Sequence, residues 1–583
     1  MKSFIKRQEE TLKKVIEELG YESDKVELVV SSRKDLGEYQ YNGCMSLAKK
    51  YQKSPRDIAT EIVSKLETIK EFTNLNIAGP GFINITFDKN SLIEYMNELL
   101  TDININIDKV PKKKIVLDYG GPNVAKTLHV GHLRSANIGE ALKRLANTLG
   151  YETISDVHLG DWGRQMGLVI LELSKLHPDW VYFDEHYQGE YPTIPPITNE
   201  DLEKLYPIAS QKAKEDLEYL EEARMITTKL QQHEKGIFEL WKKIVEISVK
   251  EIKTMYDKLN ISFDLWNGES DAEAYVPKVI EILEKQNLVT QSEGASVIEV
   301  KEDDDKVEIP PLLLKKSNGS ISYETTDLAT IWERMNLYHP DEIWYIVDNR
   351  QELHFEQVFR ASYKSNMVPK STKLEFLGFG TMNGIDGKPF KTRDGGVMTL
   401  SNLFQDVKQE AIKQMKENVS EEEKNSIADD VTVSILKYAD LLSIRSTDYI
   451  FDLQKFSDMN GKTGVYLLYS TIRIKSLLTK AEELNVPSSN YKEINSELDK
   501  EVILKLLQVP KILTRSLENK SLHEIADYLY NLTNCYNNFY SNNKILTEEN
   551  ASLKESWLCL SKLVYLTNKK LLGILGINLP NKI

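Results

Sequence analysis

Apolar positions change period along this chain, and the changes divide it. Phe4 to Leu19 and Ser54 to Leu66 repeat apolar residues three and four apart, the spacing that loads one face of a helix. Between them Val26-Glu27-Leu28-Val29-Val30 reads as a strand, and Gly79-Pro80-Gly81 turns into a β-like run, Phe82-Ile83-Asn84-Ile85. Residues 1–108 are expected to form a small N-terminal α+β domain. Past Pro111 a short apolar strand, Ile115-Val116-Leu117, runs into the turn Gly120-Gly121-Pro122-Asn123. A helix is predicted from about Leu133, with Ile138, Leu142, Leu145 and Leu149 on one face and Gly150 at its end. Thr153 to His158 is the next strand, stopping at Gly160. Strand, turn, helix and strand in that order make the first half of a parallel α/β sheet.

From 165 to about 310 the pattern becomes helical and charged, with long amphipathic stretches over Asp201–Leu230 and Ile237–Leu259. Strands resume at Ile343-Trp344-Tyr345-Ile346-Val347 and Leu374-Glu375-Phe376-Leu377-Gly378, so the helical part reads as an insertion. Beyond Ser401 the periodicity is almost wholly helical. The expected fold class is α/β: a split Rossmann-type parallel sheet over 109–400 with a helical insertion, the small α+β domain before it, and an all-α domain over 401–583.

Composition narrows the function classes. At 583 residues the chain exceeds one hydrophobic core. No apolar run approaches the roughly 20 residues of a membrane helix. The N-terminal stretch alternates charge with Ile and Leu where a signal peptide would be apolar. No membrane partner and a cytoplasmic location are expected. Cys44, Cys535 and Cys559 lie too far apart for a CxxC zinc site or a disulfide framework, so no protein-bound zinc is expected. The net charge of −15 speaks against indiscriminate nucleic-acid binding while leaving room for a local basic surface. Lys112, Lys113 and Lys114 are one such cluster, or simply a solvated turn.

Candidate chemistry sits where the first strand gives way to its helix. His129-Val130-Gly131-His132 falls at a helix N-terminus, where unpaired N–H groups and the helix dipole favour phosphate. Two histidines three apart can donate hydrogen bonds to a triphosphate during displacement at its α-phosphorus, and Gly131 leaves backbone open to an adenine. Alone, HxxH is more often two unrelated histidines, or sometimes a metal pair. No HExxH, cysteine or acidic cluster beside it supports zinc. Gly461-Lys462-Thr463 suggests a P-loop ATPase, but that motif requires glycine where Phe456 stands.

The whole string Asp118-Tyr-Gly-Gly-Pro-Asn-Val-Ala-Lys-Thr-Leu-His-Val-Gly-His-Leu-Arg-Ser135 resembles the HIGH signature of class I aminoacyl-tRNA synthetases. Its Pro-Asn and Ala-Lys pairs and its Leu-Arg-Ser ending are those of the arginyl-tRNA synthetase family. His158-Leu-Gly-Asp-Trp-Gly-Arg-Gln165, Gly268-Glu-Ser270, Tyr323-Glu-Thr-Thr-Asp327 and Asp348-Asn-Arg-Gln-Glu-Leu-His354 match that family in order and spacing. So do Phe451-Asp452 and Gly461-Lys-Thr-Gly-Val-Tyr466, followed by Tyr469 and Arg473. The resemblance implies activation of L-arginine by ATP with Mg2+, loss of pyrophosphate, and acyl transfer to the terminal adenosine of tRNA(Arg). It also implies that pyrophosphate exchange depends on tRNA. A monomer is expected. Such chemistry needs positioning and oxyanion stabilisation more than a protein nucleophile.

A guanidinium presents a rigid fork of donors and calls for carboxylates and carbonyl-type acceptors. By resemblance, Tyr323, Asp327 and Gln351 line its pocket, Asp327 as the bidentate partner, and Asn123 and Asp118 lie near the α-amino end. Without the resemblance Asp327 also reads as a helix N-cap before Leu328-Ala329. His129, His132 and Lys126 are the expected catalytic residues, with Lys388 and Lys391 in the Gly384–Gly396 loop. That loop occupies the place of the class KMSKS signature, and its glycines suit closure over ATP. If Phe390-Lys391-Thr392-Arg393 aligns with the family's Met-Ser-Thr-Arg variant, Thr392 takes the second lysine position and Lys126 compensates. ATP is thus expected against Gly131, His129, His132, Lys126 and Thr392.

Binding of tRNA is expected at both ends. Tyr39, Gln40 and Asn42 resemble part of the family's additional domain, where polar side chains meet exposed bases, and equally read as a polar turn. Tyr466, Tyr469 and Arg473 look like anticodon-binding residues able to stack on splayed bases. Tyr536, Phe539 and Tyr540 have instead the spacing of a helix core. A cysteine-specific relative would carry zinc-binding cysteines, and a branched-chain one a large editing insertion; neither is present. A non-catalytic, synthetase-like RNA-binding protein is the remaining alternative, against which His129, His132, Lys126 and Asp327 speak.

Overall fold

Four parallel strands lie at the centre of the chain, in the spatial order Lys373–Phe376, Glu342–Ile346, Lys114–Tyr119 and Glu152–Asp156. The structure is a computed structural model that describes residues 2–23, 25–194, 196–317, 319–388, 390, 398–413 and 420–582. Ile115, Val116, Leu117, Ile343, Trp344 and Ile346 are fully buried, as continuous apolar strands must be when helices cover both faces of a sheet. Lys114–Tyr119 and Glu342–Ile346 are neighbours, yet the chain leaves them towards opposite edges. Their carboxyl ends therefore form a switch point, the place where open α/β sheets bind ligands.

The helix Val130–Leu149 follows the first strand and begins three residues before the periodicity indicated. The reason is its cap, which is His129 and not an apolar residue. The insertion holds the helices Arg164–Leu176, Asn199–Glu215, Leu217–Gln231 and Lys235–Lys258. It is not wholly helical. Val289–Ser292, Ala295–Ile298 and Leu312–Lys315 form an antiparallel sheet, whose short, partly exposed strands leave little mark in the sequence. The chain then re-enters the core through the helix Tyr323–Tyr338.

Ahead of this core, four antiparallel strands in the order Leu28–Val30, Tyr39–Tyr41, Phe82–Phe87 and Phe72–Ala78 pack against helices such as Phe4–Glu18 and Pro55–Leu66. Tyr39–Tyr41 is hidden in the sequence by its polar flanks. The C-terminal part is helical, apart from Tyr449–Ile450, which pairs with Met382–Asn383 at the foot of the Gly384 loop. Tyr536 and Phe539 are fully buried there, as their spacing implies. Among the described residues no helix is long and apolar enough to cross a membrane. Lys112 and Lys114 pair with Glu152 and Lys113 with Glu342, so the lysine cluster is spent on ion pairs.

One buried contact docks the helical part on the sheet. Arg134, in the His129-capped helix, donates to Asp440 at 2.9 Å and to the carbonyls of Gly380 at 2.6 Å and Thr447 at 2.9 Å. Asn137 donates to the other Asp440 oxygen at 3.0 Å. Arg134 and Asp440 are each 1% exposed, so neither charge has water as a partner. Asp440→Ala is expected to destabilise the chain by about 3–5 kcal/mol by stranding a buried guanidinium. The urea midpoint of the full chain reads this, and an unmoved midpoint would refute the role given to the pair.

Candidate active site

Asp118 and Asp156 stand opposite each other on adjacent parallel strands. Two carboxylates so placed, roughly 4.8 Å apart across a sheet, repel unless a cation joins them. Arg334 is that cation: its Nη2 donates to both at 2.7 Å. His158 adds a second positive group, its Nδ1 being 3.6 Å from Asp156. Burial alone would lower His158, but the carboxylates of Asp156 and Asp118 push it up to about 9. Asp118, expected near an α-amino group, thus spends its charge on Arg334 beneath the site, because a buried carboxylate without a partner is unaffordable. Sequence reasoning passed over Arg334, although an arginine among Leu328, Ile331 and other buried residues of one helix is a legible sign of a buried ion pair.

Above this floor the two histidines cap the helix Val130–Leu149 reciprocally. His129 Nδ1 accepts from the Gly131 N–H at 3.0 Å, and His132 Nδ1 accepts from the His129 N–H at 3.1 Å. This is a capping box made of imidazoles, their ring centroids 3.9 Å apart. With both Nδ1 atoms accepting, each ring in its neutral form carries its hydrogen on Nε2. Burial lowers His129, with Lys126 and Arg350 adding to it, and burial with the neighbouring His129 takes His132 down to about 3. Both rings are therefore neutral donors near pH 7. A side chain at Gly131 would meet the His129 ring at 2.8 Å, so the space read as room for an adenine holds an imidazole here.

Lys126 follows Ala125, which holds a left-handed φ of 61°, a conformation costing an L residue about 1–2 kcal/mol. Its Nζ lies 4.4 Å from the Tyr206 ring of the insertion, a cation–π contact that sequence spacing does not reveal. Asn123 bridges to Gly160, where a Cβ would sit 2.3 Å from Asn123 Oδ1. Gly160 is thus needed for the first two loops to touch. Lys388 is exposed in a turn closed by the hydrogen bond from Gly384 N–H to its carbonyl at 2.8 Å. Lys391 and Thr392 lie outside the described residues.

Two further carboxylates, Asp327 and Glu269, lie near enough for their charges to interact. Asp327 lies in the second turn of the helix Tyr323–Tyr338, whose N-cap is Ser322, so the N-cap reading of Asp327 does not hold. Its Oδ2 is 2.6 Å from His354 Nε2, and Tyr323 stacks on the His354 ring at 4.7 Å. Gln351 is exposed in the short turn Asn349–Gln351 leading to the same helix as His354. Glu269 was noticed only as part of a motif, yet its carboxyl feels the charge of Asp327. Burial pushes it up to about 7; His158 pulls it down, while Asp161 and Asp327 repel it further up.

The expected tRNA residues divide. Tyr39 is 3% exposed and packs its ring against Phe87, so it belongs to the core and not to an RNA surface; alternation along a strand turns it inward. Gln40, on the opposite face, donates to Asn84 at 3.1 Å, and Asn42 is exposed. In the helix Gly464–Glu483, Tyr466 accepts from Asn537 at 2.7 Å, Arg473 donates to Asn537 at 2.5 Å and lies over Tyr540, and Tyr469 is exposed.

Comparison with known proteins agrees with this geometry. A family model described as the catalytic domain of class I tRNA synthetases (R) matches residues 95–453. The catalytic core is therefore that of a class I aminoacyl-tRNA synthetase. The arginyl tRNA synthetase N terminal domain matches residues 6–87, and the DALR anticodon binding domain residues 467–583. An arginine–tRNA ligase of Alkaliphilus oremlandii is 43% identical, with 100% of both chains covered. The crystal structure of arginyl-tRNA synthetase from Plasmodium falciparum superposes with a TM-score of 0.81 at 26% identity over 100% of both chains. That of Thermus thermophilus, at 21% identity, shares the fold with a TM-score of 0.80 over 100% of both chains. The chain belongs to the arginyl-tRNA synthetase family.

A cation bound between Asp327 and Glu269 favours ionised Glu269, so its binding releases a proton from a group pushed up to about 7. Affinity for L-arginine is expected to rise from about pH 6 to about pH 8 and to lose that slope in Glu269→Gln. Calorimetry in buffers of different ionisation enthalpy measures the proton; a flat profile in the unsubstituted chain would remove Glu269 from the pocket.

Proposed function

We propose that this chain activates L-arginine with ATP, delivered as its Mg2+ complex, and transfers the arginyl group to the terminal adenosine of tRNA(Arg). The observation that carries the reading is the presence, in one catalytic domain, of two interacting carboxylates, Asp327 and Glu269, and of the neutral imidazole donors that cap the helix Val130–Leu149. The carboxylates attract and orient a guanidinium. Tyr323 and Gln351 complete the side-chain end of the pocket, and Asn123 lies towards the α-amino end. The arginine carboxylate then faces the α-phosphorus, and the His129 and His132 Nε2 hydrogens meet phosphate oxygens as charge builds in the transition state. Lys126 supplies the positive charge for the departing pyrophosphate, with Lys388 and Lys391 approaching as the Gly384 loop closes and Thr392 contacting ATP. Gln40 and Asn42 at one end, and Tyr466, Tyr469 and Arg473 at the other, are proposed to hold tRNA. Three free cysteines suit a reducing cytoplasm.

Arginine-dependent charging of tRNA(Arg) by the purified chain tests the reading directly. ATP–pyrophosphate exchange with arginine is expected only when tRNA is added; exchange that runs equally well without tRNA contradicts this. Lys126→Ala is expected to slow adenylate formation by at least the roughly 100-fold typical of a lost transition-state contact. A near-normal single-turnover rate would return that role to the loop lysines.

A further inference from the structure

We infer that His354 is a positioning residue for arginine selection: it holds Asp327 in one rotamer and leaves one carboxylate oxygen free for the guanidinium. The inference rests on the arginine pocket proposed above. His354 Nε2 is 2.6 Å from Asp327 Oδ2, while its Nδ1 is buried and has no hydrogen-bond partner among the described residues. The two ring nitrogens therefore differ in kind. Hydrogen on Nδ1 would bury an unpaired donor and set the Nε2 lone pair against a carboxylate oxygen. Hydrogen on Nε2 makes the 2.6 Å contact a charge-assisted hydrogen bond and leaves the bare Nδ1 in an apolar setting.

The ring is braced on both sides. Tyr323 stacks on it with centroids 4.7 Å apart, and Phe355 meets it edge-on at 5.1 Å. Asp327 and His354 come from different helices, Tyr323–Tyr338 and Glu352–Lys364, so their contact fixes the carboxylate in the frame of both. The contact removes rotational freedom from the carboxylate while engaging only one of its two oxygens, and the charge of Asp327 still bears on Glu269. Asp327 thus meets arginine through its Oδ1, with Oδ2 already engaged, and the bidentate contact expected from the sequence becomes a shared one.

The experiment is steady-state tRNA charging by the full-length chain, with L-arginine, ATP and tRNA titrated separately. His354→Leu removes the donor; His354→Gln keeps an N–H of similar reach. For the Leu variant the arginine KM is expected to rise about 10-fold or more, the effect of a lost charge-assisted hydrogen bond. Its kcat at saturating arginine, and its KM for ATP and tRNA, are expected to stay within about twofold, and His354→Gln should restore the arginine KM to within about threefold. An unchanged arginine KM in the Leu variant overturns the inference. So does a joint fall in kcat with all three KM values disturbed, or a Gln variant as impaired as Leu, since each describes a residue that merely supports the fold. Asp327→Asn in the same assay separates the levels. If it leaves the arginine KM unmoved, the pocket itself is misplaced; if it raises the KM while His354→Leu does not, only the positioning role fails.

Discussion

Two carboxylates side by side on neighbouring strands would push the centre of this sheet apart, and Arg334 is what prevents it. The arginine reaches them from the middle of a helix whose first two turns carry Tyr323 and Asp327. Residues 327 and 334 are seven apart, so they share a face of that helix at two depths. The charge that ties the helix to the sheet therefore also fixes where Asp327 stands above it. His158 completes the group, giving two negative and two positive side chains. Burying so many charges is tolerable only because they compensate one another at hydrogen-bond distance.

A second buried charge works on the opposite side of the same strand. Arg134 joins the histidine-capped helix to Asp440 and to the carbonyls of Gly380 and Thr447, at the foot of the Gly384 loop. One side chain thus connects the histidine-capped helix, the root of the loop and the helical part of the chain. At the surface end of that helix the logic reverses. His129 and His132 are kept neutral, and their Nδ1 atoms are consumed by main-chain N–H groups. Neutral imidazoles beside Lys126 avoid like-charge repulsion and keep their Nε2 hydrogens as donors.

Much of this was legible along the chain. Apolar runs located all four core strands within a residue or two, and helical periodicity located the insertion and the C-terminal helices. The strand Tyr39–Tyr41 and the small sheet closing the insertion escaped, because three- and four-residue strands with exposed positions carry no clear alternation. Among the proposed site residues, His129, His132, Lys126 and Asp327 stand out in the sequence as residue types in a pattern. Tyr39 was not read correctly, since its aromatic ring beside polar neighbours suggested a surface when pleating turns it inward.

Sequence by itself determined the order of elements, the class of sheet and the place of the signature segments, because period and turn chemistry are local properties of a chain. Tertiary structure alone decided what each charge faces. Asp118 met Arg334 and Asp327 met His354. Glu269 came within range of the Asp327 charge, and Lys126 came to rest on Tyr206. These pairings join residues from separate strands and helices, and the electrostatic energy of a group depends on its burial and on neighbours a few ångströms away. Neither quantity is written in the spacing of residues along the chain.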